Sequence, residues 1–373
     1  MSVLDRIGGA RVVICVGAGG VGKTTTSAAI ASLLARDGRR VALVTIDPAK
    51  RLADALGVGE LAGEPQRVEL PDAGGELWAL MLDPQATFDG LVTGLARDEE
   101  SSRSILENPI YARISGAVAG SQEFTAVAKL YELARSGRFD AIVLDTPPSR
   151  NALDFLEAPD RLTAFLEGRG LLSLVAPAGP LGRLAGRGSG LVIGTLGRLI
   201  GSDLLRDIQG FLTAFTTILD GFRERARAVS ALLADDDTVF VVVTSAEREP
   251  AAEAIHFAEQ LRRAGLATGA LVVNRVMPHS DQARPIDVER IAAQLGGDEA
   301  LAGKVVRAAA AARAIGSAEA LRIEELQDEI DRDPVLVPRL GGDLHDVAGL
   351  AVLADWLALS DGERERRLRE RAV

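Results

Sequence analysis

Cysteine is almost absent from this chain of 373 residues: Cys15 stands alone. That excludes an internal disulfide and a cysteine-based zinc or iron–sulfur cluster, and it fits a reducing compartment. Histidine is scarce as well, and His256, His279 and His345 are scattered in the manner of structural or exposed residues. No apolar run reaches the roughly 18 residues that a membrane-spanning helix needs, and residues 1–11 lack the apolar centre of a secretory signal. A net charge of −11 argues against duplex nucleic acid as a partner, because phosphate backbones are gripped by clustered cations. The expectation is a cytoplasmic protein with no nucleic-acid partner and no transmembrane span. Lysine is the last scarcity. Only Lys23, Lys50, Lys129 and Lys304 stand among 42 basic residues, so a position that keeps lysine is informative.

What is present is apolar patterning. Short β-branched runs alternate with longer helical stretches, as in a doubly wound, mostly parallel α/β sheet with helices on both faces. Strands are expected at 11–16, 41–46, 77–82, 141–144, 238–244, 270–273 and 335–337. Val239 to Val243 is continuously apolar, as a doubly covered central strand should be. One domain spanning 1–373 is expected to carry two insertions. The first, about 84–137, reads as helices with Tyr111, Phe124, Leu130 and Leu133 as apolar markers. The second, about 156–234, holds ten glycines between Gly168 and Gly201, a composition that disfavours a core helix and points to mobility. It continues into a helical face of Leu204, Ile208, Phe211, Leu212, Phe215, Ile218, Leu219 and Phe222. That stripe reads either as buried on the sheet or as an exposed groove for a partner. Residues 361–373 are nearly all charged and read as a solvated, frayed helix end.

The most informative stretch is Gly17-Ala18-Gly19-Gly20-Val21-Gly22-Lys23-Thr24, which fits G-x-x-x-x-G-K-[ST] between an apolar strand and an alanine-rich helix. Glycines let backbone N–H groups turn inward around a triphosphate, and the helix N-terminus adds its positive end. Lys23 then reaches the β and γ phosphates, and the Thr24 hydroxyl ligates Mg²⁺. Gly17, Gly19 and Gly22 also satisfy the dinucleotide pattern G-x-G-x-x-G, with Asp47 as a ribose-binding acid. Lys23-Thr24 has no task in a dinucleotide loop, however, and a second acid, Asp145, closes another apolar strand as a Walker B aspartate does. Asp47, Asp145, Thr244 and Asn274 all end strands, where ligands of such sheets bind. Asp47 before Pro48 also suits an Asx-turn, so both readings stand at that position.

With the glycine loop, the segments Thr45-Ile46-Asp47-Pro48-Ala49-Lys50, Asp145-Thr146-Pro147-Pro148-Ser149-Arg150-Asn151 and Val272-Val273-Asn274-Arg275 resemble the ArsA-type ATPases. That family comprises the arsenite-pump ATPases and those that target tail-anchored membrane proteins. Val335-Leu336-Val337-Pro338 is similar to its late strand, and the glycine-loop variant looks closest to an actinobacterial branch of anion-transporting ATPases. The resemblance implies a P-loop ATPase that uses ATP and Mg²⁺. Gly19, Gly20, Val21, Gly22, Lys23, Thr24 and Thr25 would hold the phosphates, with Thr25 at the α-phosphate. Asp145 would hold the metal through water, Asp47 would orient the attacking water beside Lys23, and Asn274 would read adenine.

The departures from the family pattern are specific. Ala18 replaces the signature lysine that crosses the family's dimer interface, which predicts slow turnover by the chain alone. Either a lysine-bearing paralogue completes a heterodimer, or Lys50 supplies the cation. Cys15 alone matches neither a metalloid site nor a Cys-x-x-Cys zinc clamp, and Arg150 and Asn151 replace the family's Gly and His. The expected function is a dimeric Mg-ATPase whose opening and closing handles a hydrophobic or membrane-associated client. The alternatives are a weakly hydrolysing regulatory subunit and the energising subunit of an anion pump. A ligase or amidotransferase-like enzyme of this P-loop class finds no second-substrate signature.

Overall fold

A computed structural model describes residues 1–46, 51–59, 61, 63–71, 73–109, 111, 115, 122–147, 211, 214, 215, 217–277, 287–340 and 347–372. Eight strands form one sheet: β1 (Val12–Val16), β2 (Arg40–Thr45), β3 (Gln66–Val68), β4 (Glu76–Met81), β5 (Ala141–Asp145), β6 (Thr238–Ser245), β7 (Thr268–Val276) and β8 (Pro334–Pro338). Their order is β3-β4-β2-β5-β1-β6-β7-β8, and every pairing is parallel except β3 with β4. The doubly wound sheet expected from the sequence is therefore what forms. The short edge strand β3 is additional to the seven expected.

The helices in chain order are α1 (Val3–Ile7), α2 (Lys23–Arg36), α3 (Arg51–Leu56), α4 (Pro84–Leu95), α5 (Glu99–Leu106), α6 (Gln122–Arg135) and α7 (Leu219–Leu233). They continue with α8 (Arg248–Arg263), α9 (Val288–Gln294), α10 (Glu299–Ile330), α11 (Val347–Ala358) and α12 (Asp361–Ala372). Strand alternation sorts the core onto two faces. From β1, Val13 and Cys15 face a cluster containing Ile30 and Leu34 of α2 and Leu350 and Leu353 of α11. Val12, Ile14 and Val16 face the other cluster, with Leu130 of α6, Val229 of α7, Leu261 of α8 and Leu326 of α10. Each buried leucine or isoleucine contributes about 1.5–3 kcal/mol relative to exposure, which is what holds α2 against the sheet.

A third cluster joins residues 88–111 to residues 211–222. Phe88, Leu91 and Val92 of α4 and Ile105 of α5 pack with Tyr111, Phe211, Phe215, Ile218 and Phe222. Phe88 stacks on Tyr111 and on Phe222, and Phe215 stacks on Phe211 and on Phe222. Of the two readings of the apolar stripe, burial holds for these described members, although the partners are α4, α5 and Tyr111 rather than the sheet. Leu204, Ile208 and Leu212 lie outside the described residues, as does the glycine-rich stretch 168–201.

The charged C-terminal segment differs from the frayed end expected of it. It forms α12, and Arg364 is buried, donating to the Leu359 and Met1 carbonyls and to Asp361. Asp361 also receives Arg6 at 2.8 Å and the N-terminal ammonium at 2.7 Å. The bond from buried Arg364 to the Met1 carbonyl, with those from Arg6 and the N-terminal ammonium to Asp361, ties the segment to the start of the chain.

Candidate functional site

β1 lies between β5 and β6 at the sheet's switch point, so the loop after it opens into the crevice beyond the strand ends. Gly17 leaves the strand at φ 148°, and a Cβ there would lie 1.9 Å from the Val243 carbonyl oxygen of β6. Only glycine lets the loop pass that backbone. Gly20 at φ 80° and Gly22 at φ 91° make the remaining turns, and a Cβ on Gly22 would lie 2.3 Å from the Asn274 Nδ2. Gly22 caps α2 without a side-chain hydrogen bond, and the first turn carries no acidic residue. The first-turn amides are thus left to an anion. Ala18 is buried, 8% exposed, within the cluster around α2.

Asp145 ends β5 and is 1% exposed. Its register partners are Cys15 of β1 and Thr45 of β2, so the three strands finish abreast. Thr24 Oγ1 donates to Asp145 Oδ2 at 2.7 Å and Thr45 Oγ1 to the same oxygen at 3.1 Å, while Ser27 Oγ reaches Oδ1 at 3.3 Å. Burial pushes the Asp145 carboxyl above its ordinary value, against the opposing pull of the Lys23 ammonium and the three hydroxyls. The next residue, Thr146, donates its hydroxyl to the Cys15 carbonyl at 2.9 Å. Cys15 itself is inert, its thiol pushed up to about 12 by burial.

On the other side of the loop, Asn274 of β7 donates Nδ2 to the Val21 carbonyl at 2.8 Å. Arg275 donates Nη1 to the Gly20 carbonyl at 3.0 Å. The structure thus gathers Gly19, Gly20, Val21, Gly22, Lys23, Thr24, Thr25, Asp145 and Asn274 at one end of the sheet. Asp47 and Lys50 lie outside the described residues, as do Arg150 and Asn151. Sequence reading did not single out Ser27, Thr45 or Arg275 for this site. Ser27 follows Thr24 by three positions and so shares its helix face, Thr45 lies two positions before Asp47 in sequence, and Arg275 follows Asn274 within β7.

The donor set is one of hard oxygens: a buried carboxylate and a loop hydroxyl in contact. It fits Mg²⁺, which takes few protein oxygens and otherwise keeps water and phosphate. Among the described residues no cluster of His, Cys, Asp or Glu suits a metal held by protein alone. No described helix is long and apolar enough to cross a membrane.

The chain matches the family model described as Anion-transporting ATPase over residues 10–298. It is similar to the ATPase get3 of Aspergillus terreus, 29% identical over 263 residues, which cover 70% of this chain and 72% of that protein. The ATPases GET3 of Paracoccidioides brasiliensis strains Pb03 and Pb18 are each 29% identical over 269 residues, covering 72% of this chain and 73% of theirs. A match across well over half the length, with the glycine loop and its aspartate in place, identifies the chain as a member of the ArsA-type ATPase family and an ATP-hydrolysing enzyme.

Proposed function

We propose that this ATPase binds Mg-ATP in the loop 17–24, at the interface of a dimer, and uses the nucleotide to open and close that dimer around a hydrophobic or membrane-associated client. The contact that carries the reading is the 2.7 Å bond between Thr24 and Asp145. It brings a loop hydroxyl and a strand-end carboxylate together where a phosphate-bound cation sits in such loops. Thr24 would hold Mg²⁺ directly and Asp145 through its water shell. When bound, Mg²⁺ neutralises charge on the β and γ phosphates.

The other roles belong to residues of the chain. Lys23 reaches the β and γ phosphates from the first turn of α2, and Thr25 lies two residues on, at the α-phosphate. The amides of Gly19 to Gly22 surround the phosphates. Asp47 orients the water for in-line attack, and Asn274 serves the nucleoside end. The names of the similar ATPases support a client-handling role, and the family description supports an anion-pump subunit as the alternative.

A second reading is favoured by Ala18, which is buried where a lysine would be needed to reach a partner's phosphates. It makes this chain the slow subunit of a heterodimer with a lysine-bearing paralogue. Phosphate release by the purified chain, with and without such a partner, tests both. Full turnover as a homodimer removes the second reading. No ATP binding and no effect of Lys23→Ala remove the first.

A further inference from the structure

Asp145 is held by more than the phosphate loop. Its Oδ2 accepts from Thr24 at 2.7 Å and from Thr45 at 3.1 Å, and its Oδ1 from Ser27 at 3.3 Å. Thr24 and Ser27 belong to α2, whereas Thr45 ends β2, so the carboxylate is gripped from a helix and from a strand. The three hydroxyls are not equivalent. Ser27 Oγ also bonds the Lys23 carbonyl at 2.9 Å, and a hydroxyl has one proton to give. The nearer carbonyl takes the larger share of it. That makes Thr45 the second hold on the carboxylate, after Thr24.

Thr45 is itself fixed in place. It is 1% exposed, its register partners are Asp145 on one side and Met81 on the other, and its carbonyl accepts the Leu82 N–H at 2.8 Å. Valine would fill the same space in a strand that already carries Val41 and Val44, so packing alone does not call for a hydroxyl. A buried hydroxyl costs free energy unless it is bonded, and here its bond goes to Asp145. The consequence passes to Thr24. The Thr24 hydroxyl gives its one proton to Asp145, which leaves the lone pairs of its oxygen for an ion. Whatever steadies the carboxylate therefore steadies the orientation of that hydroxyl.

We propose that Thr45 is a positioning residue of the metal site: it holds the Asp145 carboxylate, and through it the Thr24 hydroxyl, ready for the Mg²⁺ of the bound nucleotide. The proposal rests on the phosphate-loop reading above. Groups one step behind a metal's ligands orient them, and their loss typically lowers metal affinity about 10–100-fold. Thr45 also lies two positions before Asp47, so the strand that steadies the metal's carboxylate leads on to the acid proposed to orient water.

Calorimetry on the full chain tests this, titrating ATP in Mg²⁺ and in EDTA into wild type, Thr45→Val and Thr45→Ser. Wild type should bind ATP more tightly with Mg²⁺. Thr45→Val should lose about tenfold or more of that gain, while its affinity in EDTA stays at the wild-type value. Thr45→Ser keeps the hydroxyl and should keep the gain. Adding Thr45→Val to Asp145→Asn should change little further, since the carboxylate to be positioned is already gone. Thr45→Ala deletes the same hydroxyl and serves if the valine variant folds poorly. An undiminished Mg²⁺ gain in Thr45→Val would overturn the proposal, and so would an equal loss in EDTA, which marks a merely structural role. A full further loss in the Asp145→Asn background would overturn it as well. A wild-type chain that binds no ATP in either solution would instead remove the phosphate-loop reading on which the proposal stands.

Discussion

The hydroxyl of Thr24 and the carboxylate of Asp145, 121 residues apart in sequence, meet at 2.7 Å inside the sheet's C-terminal crevice. Thr24→Ala and Asp145→Asn should each lower Mg-ATP turnover by about a hundredfold or more, the usual cost of deleting a group that stabilises transition-state charge. Steady-state phosphate release is the readout. Wild-type rates in either variant would remove the pair from the metal's surroundings.

Asp145 also predicts a pH dependence of the nucleotide-free protein. Its carboxyl is raised by burial, so the folded state holds that proton more tightly than the unfolded chain. The associated stability is complete below the ordinary carboxylate value and is lost as pH rises through the raised one. Asp145→Asn, which mimics the protonated side chain, should melt higher than wild type near neutrality, with the gap closing on acidification. A gap of constant size across pH would contradict the burial argument.

The loop glycines should rank by what a Cβ meets. Gly20→Ala meets open space and carries only backbone strain, about 1–2 kcal/mol. Gly22→Ala adds a collision with the Asn274 amide, and Gly17→Ala drives into the Val243 carbonyl, which cannot move without the sheet. Denaturant melts should follow the order Gly20, Gly22, Gly17. Asn274→Ala should relieve part of the Gly22→Ala cost, a coupling of about 0.5–3 kcal/mol in a double-mutant cycle. Strict additivity would mean that the two residues do not touch.

The two chain ends should unfold together in acid. Burial pushes Asp361 up, but the N-terminal ammonium, Arg364 and Arg6 outweigh it and bring the carboxyl to about 2. Its contribution is therefore present above 3.8 and lost as pH falls from there toward about 2. Arg364→Ala should cost about 2 kcal/mol through bonds lost to Leu359, Met1 and Asp361. Unchanged proteolysis of the C-terminal helix in that variant would argue against the tie.

Phe215→Ala should destabilise by about 3–5 kcal/mol, because the ring stacks on both Phe211 and Phe222 within a closed cluster. If α4 and α7 depend on one another, hydrogen exchange should rise in both.

The parts of this fold that could be read from the chain are those where one physical cause dominates. β1 and β6 are buried on both faces and appear as unbroken apolar runs. β3 escaped notice because three residues at an antiparallel edge, of which only Val68 is buried, leave no run and no alternation. Strand ends ran past their apolar stretches, β5 into Asp145 and β7 through Asn274 to Val276, since backbone pairing continues where side chains turn polar. The glycine loop and Asp145 were legible because phosphate geometry dictates residue types at fixed spacing. Thr45 and Ser27 were not, because their relation to Asp145 is created by strand register and helix packing. The docking of α12 was hidden by composition: a segment rich in arginine reads as solvated until one arginine finds three acceptors.

The level finish of β1, β2 and β5 ties chemistry to sheet alignment. Asp145 sits opposite Cys15 on one side and Thr45 on the other, and side chains alternate between faces at every step along a strand. Sliding β5 by a single residue would swing the carboxylate beneath the sheet and bring an aliphatic side chain up in its place. The contact between Asp145 and Thr24 is therefore inseparable from correct strand alignment, and a misaligned sheet would leave that hydroxyl without its carboxylate.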